Sequence, residues 1–480
     1  MKLGVCVPYR NREAHLKEFV PKVGKYLESK GIDYCMYFGH QVDDKLFNRG
    51  AMKNVAAEWA FKEGCDYIVW HDIDMIPEEG CDYSFPEKYP IHIATNISQM
   101  DYQLKYQEYF GGAVIFSKEQ VEATNGYSND YWDWGMEDDD LFWRCYLEGM
   151  ADVKETKLGN QEFFSFNGIN SGVTIPTNRD TAHLTTKSHT VSVLVRANQQ
   201  EHKVPIWLVG DYDRRFTEYP IIRRAGYDWG LSYNNSRAYT ALLWNNKKEA
   251  LYQWMKRYEN YWSWVTLTVD TENNFIHFYL NGRESDARHG HGTHSPQKYE
   301  GSLKRYGSVP YTIGYTTSVG ERDVNKFFKG DIAKVMLWNR KLETNEIENL
   351  MNEIPSDGLK LHYEFNEGEA KDISGNDNDG SVDTIITGED EITIAQAPIP
   401  HRREGRMTCL PHKDEGLITD DKGQDRWAKG ETTAANERRY VLEMQQGNWD
   451  YKSDGIKQLK YELVEIEEIN PKAKLINVKL

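Results

Sequence analysis

The sequence predicts an α/β domain together with an all-β sandwich, in a chain of 480 residues. Apolar runs alternate with amphipathic stretches over roughly the first third of the chain, which is typical of a mostly parallel sheet covered by helices. A later region, from about residue 163 to 386, consists of short strand-like runs and turns and favours a sandwich. The length exceeds what one hydrophobic core usually holds, so two or more domains are expected.

The first elements follow the order strand, loop, helix. The strand-like runs are 3–9, 33–38 and 66–70, and the helical stretches between them are about 13–27 and 48–62. Open α/β sheets bind ligands at the carboxyl ends of their strands. The loops that follow these runs are therefore the first place to expect a site.

The sandwich region contains a clear hairpin signal. An alternating run ends at Leu280 and is followed by Asn281-Gly282, a pair that favours a tight turn between antiparallel strands. Three histidines in the glycine-rich segment His289–His294 suggest a metal site, but a solvated loop is the commoner explanation of such a segment.

Charge and composition exclude several classes of function. The formal net charge of -17 disfavours nucleic acid and anionic membrane surfaces as partners. No apolar run reaches the length of a membrane span, and the first ten residues lack the features of a signal peptide, so we expect a cytoplasmic protein.

Six scattered cysteines are expected to be free thiols, with a Cys65–Cys81 disulfide as the alternative.

Two acidic segments carry the chemical signal. Asp72-Ile-Asp74 follows an apolar strand, whose end can present both carboxylates to one ligand. The second segment contains four consecutive acids, Glu137 to Asp140, among several tryptophans and downstream of the Gly111-Gly112 corner. Adjacent carboxylates repel one another, so a fold keeps them on a solvated face or where a cation or hydroxyl groups bind them. The surrounding aromatic rings favour a sugar site.

These segments resemble a known family. Asn125–Asp140 is similar to the acceptor-site motif of the β-1,4-galactosyltransferases, although Asp133 and Met136 stand where that motif commonly has glycine. Three further segments, Val7–Arg12, Phe47–Arg49 and Asp72–Asp74, resemble family motifs in the family's order. The resemblance implies a type A glycosyltransferase fold with a Rossmann-like mixed sheet. Animal members carry an amino-terminal membrane anchor, and a chain that begins directly at the catalytic domain suggests a microbial or viral source.

A second resemblance concerns the sandwich. Gly330–Leu342 is similar to a segment of laminin-G-like, concanavalin-A-like jelly-roll modules, whereas Glu404–His412 and Ser453–Val464 resemble the carboxyl-terminal part of the transferase. We therefore expect the transferase domain to comprise 1–158 and 398–480, interrupted by an inserted sandwich at 159–397. Three independent domains in series are the alternative, but a tail of about 80 residues would then have little core of its own.

The family resemblance implies an inverting, metal-dependent transfer of galactose from UDP-galactose to a hydroxyl of a glycan or glycoprotein. Two alternatives stay open. The donor could be UDP-GalNAc, UDP-glucose or UDP-xylose, or the chain could be an inactive, lectin-like glycan-binding protein. The acceptor, the linkage, the ligand of the sandwich and the oligomeric state stay open too.

The resemblance also assigns roles to residues. Asp138 is expected to be the base, and Trp134, Asp138 and Asp139 to contact the acceptor. The metal, Mn²⁺ or alternatively Mg²⁺, is expected on Asp74, His412 and Cys409, although Cys409 could equally be a packed core residue. Tyr109 is expected to select galactose, or else to be ordinary core, and 413–436 to close over the donor or to be a disordered loop. The expected donor-binding residues are Pro8, Tyr9, Arg10, Arg12, Phe47, Arg49, Asp72, Tyr109, Gly112, Trp134 and Glu137.

Overall fold

The computed structural model divides the chain into two compact units. One unit comprises Met1–Val153 with Ala397–Leu480, and the other comprises Lys154–Gln396. The residues that the structure describes are 1–104, 108–133, 135–178, 181–198, 218–224, 229–234, 238–244, 250–256, 261–284, 295–303, 305, 309–316, 326–365, 368–395, 398–411, 435–436, 439 and 450–480.

The first part of the chain alternates strands and helices, as its hydrophobic pattern predicts. Its strands are β1 (Lys2–Tyr9), β2 (Asp33–Gln41), β3 (Tyr67–His71), β4 (Met75–Pro77), β5 (Ile91–His92), β6 (Asn96–Ile97) and β7 (Ala113–Ser117). Its helices are α1 (Glu13–Ser29), α2 (Arg49–Lys62), α3 (Lys118–Thr124) and α4 (Glu137–Leu147). Local capping explains two helix starts: the Asn48 side chain accepts from the Ala51 N–H, and Ser117 forms a capping box with Gln120.

Most of the elements described in the middle of the chain are strands. Its strands are β8 (Glu155–Asn167), β9 (Gly172–Ile175), β10 (His189–Ala197), β11 (Glu218–Arg224), β12 (Trp229–Asn234), β13 (Ala238–Trp244), β14 (Ala250–Lys256), β15 (Ser263–Asp270), β16 (Phe275–Leu280), β17 (Arg283–Glu284), β18 (Gln297–Lys298), β19 (Tyr311–Ile313), β20 (Tyr315–Thr316), β21 (Lys326–Phe327), β22 (Lys329–Trp338), β23 (Leu359–Glu364), β24 (Ser381–Asp383) and β25 (Ile386–Ala395). One short helix, α5 (Thr344–Asn349), follows β22.

The last part of the chain adds four strands to the first unit. They are β26 (His401–Arg402), β27 (Arg406–Cys409), β28 (Glu462–Asn470) and β29 (Ala473–Lys479).

The first unit contains a mixed sheet with the order β26-β5-β7-β3-β1-β2-β29-β28 among the described strands. Strand β1 runs parallel to β2 and β3, and β29 runs parallel to β2, whereas β7 is antiparallel to β3. A smaller sheet has the order β4-β27-β6. The tail therefore completes both sheets, and the carboxyl ends of β1 and β3 lead into the loops that begin with Arg10 and Asp72.

The second unit is a sandwich of antiparallel sheets. Among the described residues, one sheet has the path β17-β16-β15-β10-β22-β8-β25, and the facing sheet has the order β14-β13-β12-β11-β19-β9-β24. A shared core joins them, since Val193 of β10 and Leu267 of β15 pack in one cluster with Ile222 of β11 and Leu231 of β12. The predicted hairpin is confirmed: β16 pairs with β17 across Asn281 and Gly282, which have φ values of 51° and 81°. The predicted fold class, a mixed α/β sheet interrupted by an all-β sandwich, is confirmed.

Candidate functional site

The loop after β3 carries Asp72 and Asp74 and is held from two sides. The backbone N–H of Asp72 donates to the carbonyl oxygen of Gly112 at 2.8 Å, and the N–H of Leu410 donates to the carbonyl oxygen of Asp74 at 2.7 Å. These two bonds tie the loop to the glycine corner and to the segment that follows β27.

The four acids occupy the first turn of α4, where the partial positive charge of the helix N-terminus stabilises carboxylates. The turn into this helix has an unusual backbone. Asp133, Gly135 and Met136 have φ values of 67°, 102° and 74°. Such left-handed conformations are easy for glycine and costly for other residues, which explains why glycine is common at positions 133 and 136 in the motif that this segment resembles.

The four acids do not form one surface. Glu137 is buried and forms an ion pair with Arg49, with 2.7 Å between Arg49 Nη1 and Glu137 Oε1. Asp140 is fully buried and pairs with Arg144 at 2.5 Å, which makes it a structural residue of α4. Asp138 and Asp139 are both partly exposed. Asp138 and Asp72 have one ion-pair partner in common.

That shared partner is Lys53 of α2, which was not among the residues predicted for the site. Its side chain is only 1 % exposed, and its Nζ lies 3.2 Å from Asp138 Oδ1, 3.4 Å from Asp72 Oδ1 and 3.0 Å from the Tyr127 hydroxyl. The sequence offers one signal for it: Lys53 stands four residues after Arg49, so both cations lie on the same face of a helix.

The electrostatics of this cluster are dominated by burial and by mutual charge. Burial raises the pKa values of Asp72 and Glu137, although Lys53 and Arg49 oppose the shift. Burial also acts on Asp138, but there the charges of Lys53 and Arg49 and the Tyr127 hydrogen bond prevail and lower its pKa. Asp138 is therefore the carboxylate of the cluster that is ionised most readily.

The glycine corner lies directly against Asp138. A Cβ at Gly111 would come within 2.5 Å of Asp138 Oδ2, and a Cβ at Gly112 would come within 2.8 Å of Ala94. Gly112 also has a φ of 81°, so a side chain is excluded there by conformation as well as by space. Tyr109 is buried beside this corner and contacts His92 edge-on, with 5.1 Å between ring centroids.

The segments predicted to bind the nucleotide flank the strand ends. Pro8 and Tyr9 end β1, and Arg10 donates from Nη1 to the carbonyl oxygen of Lys45 at 2.6 Å. Arg12 precedes α1, and the carbonyl oxygen of Phe47 accepts from the N–H of Asp133 at 2.8 Å. Of these predicted nucleotide-binding residues, Arg49 contacts the acid cluster directly, through its ion pair with Glu137.

The metal site expected from the sequence is described in part. Cys409 pairs with Met75 in the small sheet, and burial together with the charges of Asp74 and Asp72 raises the pKa of its thiol to about 12. His412 and Trp134 lie outside the described residues, as do His289–His294 and almost all of 413–436. Within the described ranges, no group of three or more His, Cys, Asp and Glu residues is arranged to hold a metal ion.

The acid cluster nevertheless suits a divalent cation. Asp72, Asp74, Glu137 and Asp138 all act electrostatically on Arg49. In the described part of this cluster four carboxylates thus face the two cations Arg49 and Lys53, and hard carboxylate oxygens are the donors that Mn²⁺ and Mg²⁺ prefer. All six cysteines are free thiols, as expected.

Three family descriptions match this chain. Residues 1–84 match the N-terminal region of glycosyl transferase group 7, and residues 91–176 match a galactosyltransferase domain described as N-terminal. Residues 167–348 match the concanavalin A-like lectin/glucanases superfamily.

Relatives of known activity match the first part of the chain. Human β-1,4-galactosyltransferase 4 is 39% identical over 150 residues, which cover 31% of this chain and 44% of that protein. Mouse β-1,4-galactosyltransferase 7 is 39% identical over 150 residues, covering 31% of this chain and 45% of the relative. The chain thus spans less than half the length of these relatives.

Solved structures give similar partial matches. The catalytic domain of Drosophila β-1,4-galactosyltransferase 7 in complex with xylobiose is 34% identical, covers 31% of this chain and 62% of that one, and has a TM-score of 0.29. Another structure of the Drosophila enzyme contains manganese, UDP-Gal and xylobiose, with 31% identity, the same coverage and a TM-score of 0.28.

The relatives correct one expectation. The cytoplasmic location predicted above is wrong as an inference, because galactosyltransferases of this kind are Golgi membrane proteins. Among the described helices, none combines the length and apolar character that crossing a bilayer requires. Over residues 1–84 and 91–176 the chain is thus similar to galactosyltransferases, and over residues 167–348 it is similar to concanavalin A-like lectins and glucanases.

Proposed function

We propose that this chain is a metal-dependent, inverting glycosyltransferase that moves galactose from UDP-galactose to a hydroxyl group of a sugar acceptor. One observation carries the proposal: Asp138 is a partly exposed carboxylate with a lowered pKa, and its Oδ2 lies against the backbone of a glycine corner. That arrangement provides an ionised, partly exposed carboxylate that can serve as a base.

The proposed reaction has one chemical step. The proton of the acceptor hydroxyl passes to Asp138, and the acceptor oxygen forms a bond to the anomeric carbon of galactose. The bond from that carbon to the diphosphate breaks, and its electron pair leaves with UDP. Attack on the face opposite the leaving group inverts the anomeric configuration.

The residues around Asp138 serve binding and orientation in this scheme. Tyr109 and Gly112 shape the space for the sugar, and Glu137, held by Arg49, accepts hydrogen bonds from sugar hydroxyls. Asp139 and Trp134 contribute to the acceptor side. Uridine and diphosphate are bound by Pro8, Tyr9, Arg10, Arg12 and Phe47, and Asp72 binds the ribose or the sugar.

Asp74 and His412 would hold the metal ion, which we propose to be Mn²⁺. When bound, the ion neutralises the charge that develops on the departing diphosphate. The fixed position of the Asp74 backbone, through its bond from Leu410, keeps this ligand beside the segment that leads to His412. Cys409, which pairs with Met75 in the small sheet, would lie beside this ligand set.

A second candidate function is glycan binding without catalysis. The match of residues 167–348 to a lectin and glucanase superfamily favours it. It differs from the first proposal in requiring no turnover of a nucleotide sugar.

The test is the release of UDP from a panel of UDP-sugars, with Mn²⁺ or Mg²⁺ and with free monosaccharide and disaccharide acceptors. We expect turnover with UDP-galactose and a loss of at least about 100-fold in Asp138→Asn, because a base contributes about 10²- to 10⁴-fold. Glu122→Gln, which replaces an exposed acid on α3, is the matched control and is expected to be fully active. Full activity of Asp138→Asn would remove Asp138 as the base. Glycan binding without turnover of any donor would favour the second function.

A further inference from the structure

Lys53 is buried at a place where an apolar side chain would be the ordinary choice. It lies on α2 among Ala51, Met52, Val55 and Ala56, all of which are buried. A buried ammonium group is costly unless it is paired and hydrogen-bonded. Here the pairing is directed at Asp138 and Asp72, two acids of the proposed site, and not at a structural carboxylate such as Asp140.

Lys53 and Tyr127 converge on one atom. The Tyr127 hydroxyl donates to Asp138 Oδ1 at 2.8 Å, and Lys53 Nζ lies 3.2 Å from the same oxygen. Lys53 Nζ also donates to the Tyr127 hydroxyl at 3.0 Å and lies 4.6 Å from the centroid of the Tyr127 ring. Oδ1 of Asp138 is therefore occupied by two donors, whereas Oδ2 faces Gly111.

Hydrogen bonds to neighbouring residues hold the backbones of both Lys53 and Tyr127 in place. The carbonyl oxygen of Lys53 accepts from the Trp70 indole N–H at 2.9 Å. The next residue, Asn54, holds Tyr127 by two bonds: its Nδ2 donates to the Tyr127 carbonyl oxygen at 2.7 Å, and its Oδ1 accepts from the Tyr127 N–H at 3.0 Å. Since Tyr127 is fully buried, neither donor can turn away without disturbing the core between α2 and β3.

We propose that Lys53 and Tyr127 are positioning residues that together fix Oδ1 of Asp138, so that Oδ2 is the oxygen that takes the acceptor proton. This inference rests on the proposed function of Asp138 as the base. Through its contact with Asp72, Lys53 also holds the acceptor side and the donor side of the site at a constant separation. Its positive charge keeps Asp138 ionised among the neighbouring acids Glu137 and Asp72.

The test compares Lys53→Met, Tyr127→Phe and the double variant in the UDP-release assay, with the exposed Lys62→Met of the same helix as the matched control. We expect each single variant to lower kcat by roughly 10- to 100-fold, because misplacement of a reacting group by about 1 Å costs up to about 100-fold. The KM for the donor should change by less than about twofold. In Lys53→Met the acid limb of the pH profile of kcat should move to higher pH.

The double variant distinguishes positioning from two unrelated defects. Since both residues act on the same oxygen, the fold-decrease in kcat of the double variant should be close to that of the worse single variant. It should be far smaller than the product of the two single decreases. Unchanged kcat and pH profile in Lys53→Met, or fully multiplicative losses, would overturn the proposal.

A structural readout makes the outcome independent of the assay. If the wild-type chain turns over no donor, the proposed function fails. Crystal structures of Tyr127→Phe and Lys53→Met still test whether Lys53 and Tyr127 fix the position of the Asp138 carboxylate. We expect the Asp138 carboxylate to rotate away from its position against Gly111 in both variants. An unmoved Asp138 would show that the two residues do not position it. Tyr127→Phe keeps the ring and its packing, so at least this variant should fold.

Discussion

The backbone N–H of Leu410 donates a hydrogen bond to the carbonyl oxygen of Asp74 at 2.7 Å. Two residues separated by more than 300 positions are thereby joined at the loop that carries the proposed metal ligand. The same strand region places Cys409 beside Met75. The tail is thus part of the wall of the site, and its residues can be tested for metal binding directly.

We predict that His412→Ala lowers the affinity for Mn²⁺ by at least about tenfold, because loss of one ligand removes a coordinate bond that the chain cannot replace. Cys409→Ser should leave the affinity nearly unchanged, since Mn²⁺ prefers carboxylate and other oxygen donors over the soft sulfur of cysteine. Titration of each variant with Mn²⁺, followed by electron paramagnetic resonance of the free ion, measures both affinities. A large loss in Cys409→Ser would identify the sulfur as a ligand.

Asp140→Ala should behave very differently from Asp138→Asn, although the two acids are two positions apart. Removing Asp140 takes away the shorter of the two ion pairs of the fully buried Arg144 and leaves only Asp454, at 3.6 Å, among the described carboxylates; breaking such a buried pair typically costs about 3–5 kcal/mol of the free energy of unfolding. Asp138→Asn should lose activity but be destabilised less, because asparagine keeps the shape of the side chain and the buried Lys53 keeps Asp72 and the Tyr127 hydroxyl as partners. Urea unfolding of both variants makes the comparison, and equal stabilities would show that Asp140 is not structural.

Met136→Gly should stabilise the fold by about 1 kcal/mol, because a left-handed residue other than glycine carries a strain of about 1–2 kcal/mol that glycine relieves. Met52→Gly in the interior of α2 is the control and should be destabilising, since glycine weakens a regular helix and Met52 is buried. Thermal unfolding of both variants measures the difference. A destabilised Met136→Gly would mean that contacts of the methionine side chain outweigh the strain.

Tyr109→Leu should increase the use of UDP-GalNAc relative to UDP-galactose. The hydroxyl of Tyr109 would lie 3.4 Å from a Cβ at Gly112, so a shorter side chain opens space at the glycine corner for an N-acetyl group. The ratio of kcat/KM for the two donors is the measurement, and Tyr102→Leu, outside this corner, is its control. An unchanged ratio would leave Tyr109 as ordinary core.

The sandwich should lose stability in mild acid through His189. Its Nδ1–H donates to the Lys187 carbonyl oxygen at 2.7 Å and its Nε2 accepts from the Trp229 indole N–H at 3.0 Å, so the neutral ring is required. Burial lowers the pKa of His189 to about 4, whereas the unfolded chain binds the proton near pH 6.5. The stabilisation is therefore complete above pH 6.5 and is lost as the pH falls towards 4.

Between pH 7 and pH 5 this one group should cost about 2 kcal/mol. His189→Gln cannot titrate, so its unfolding free energy should depend less on pH over this interval. Urea unfolding followed by tryptophan fluorescence at both pH values gives the difference. If the variant and the wild type showed the same pH dependence of the free energy of unfolding, His189 would not be the group responsible for the loss of stability.

Much of the fold follows from the sequence because its patterns are local. The alternation of strand and helix up to α4 and the Asn281-Gly282 hairpin each depend on residues close together in the chain. The roles of the four acids could not be separated in the same way. Successive helix residues point about 100° apart, so Glu137, Asp138 and Asp140 meet three different partners that only the tertiary structure brings together.

Lys53 is the clearest example of a site residue that sequence patterns do not predict. A lysine in a helical stretch normally extends into solvent, and the spacing of four residues from Arg49 is the one local feature that distinguishes Lys53 from Lys62. Its function depends on Tyr127, which lies 74 positions later in the chain. A pair of this kind becomes visible only when α2 packs beside the segment that precedes α4.

The position of β29 has a consequence for truncated forms of the protein. Residues 36–41 of β2 find their parallel partner at 473–478, which lie 437 positions later in the chain. Without that partner one side of the central sheet presents unpaired backbone amides and carbonyls, which attract other extended chains. A chain truncated before residue 473 should therefore expose this edge of the sheet and yield an insoluble product.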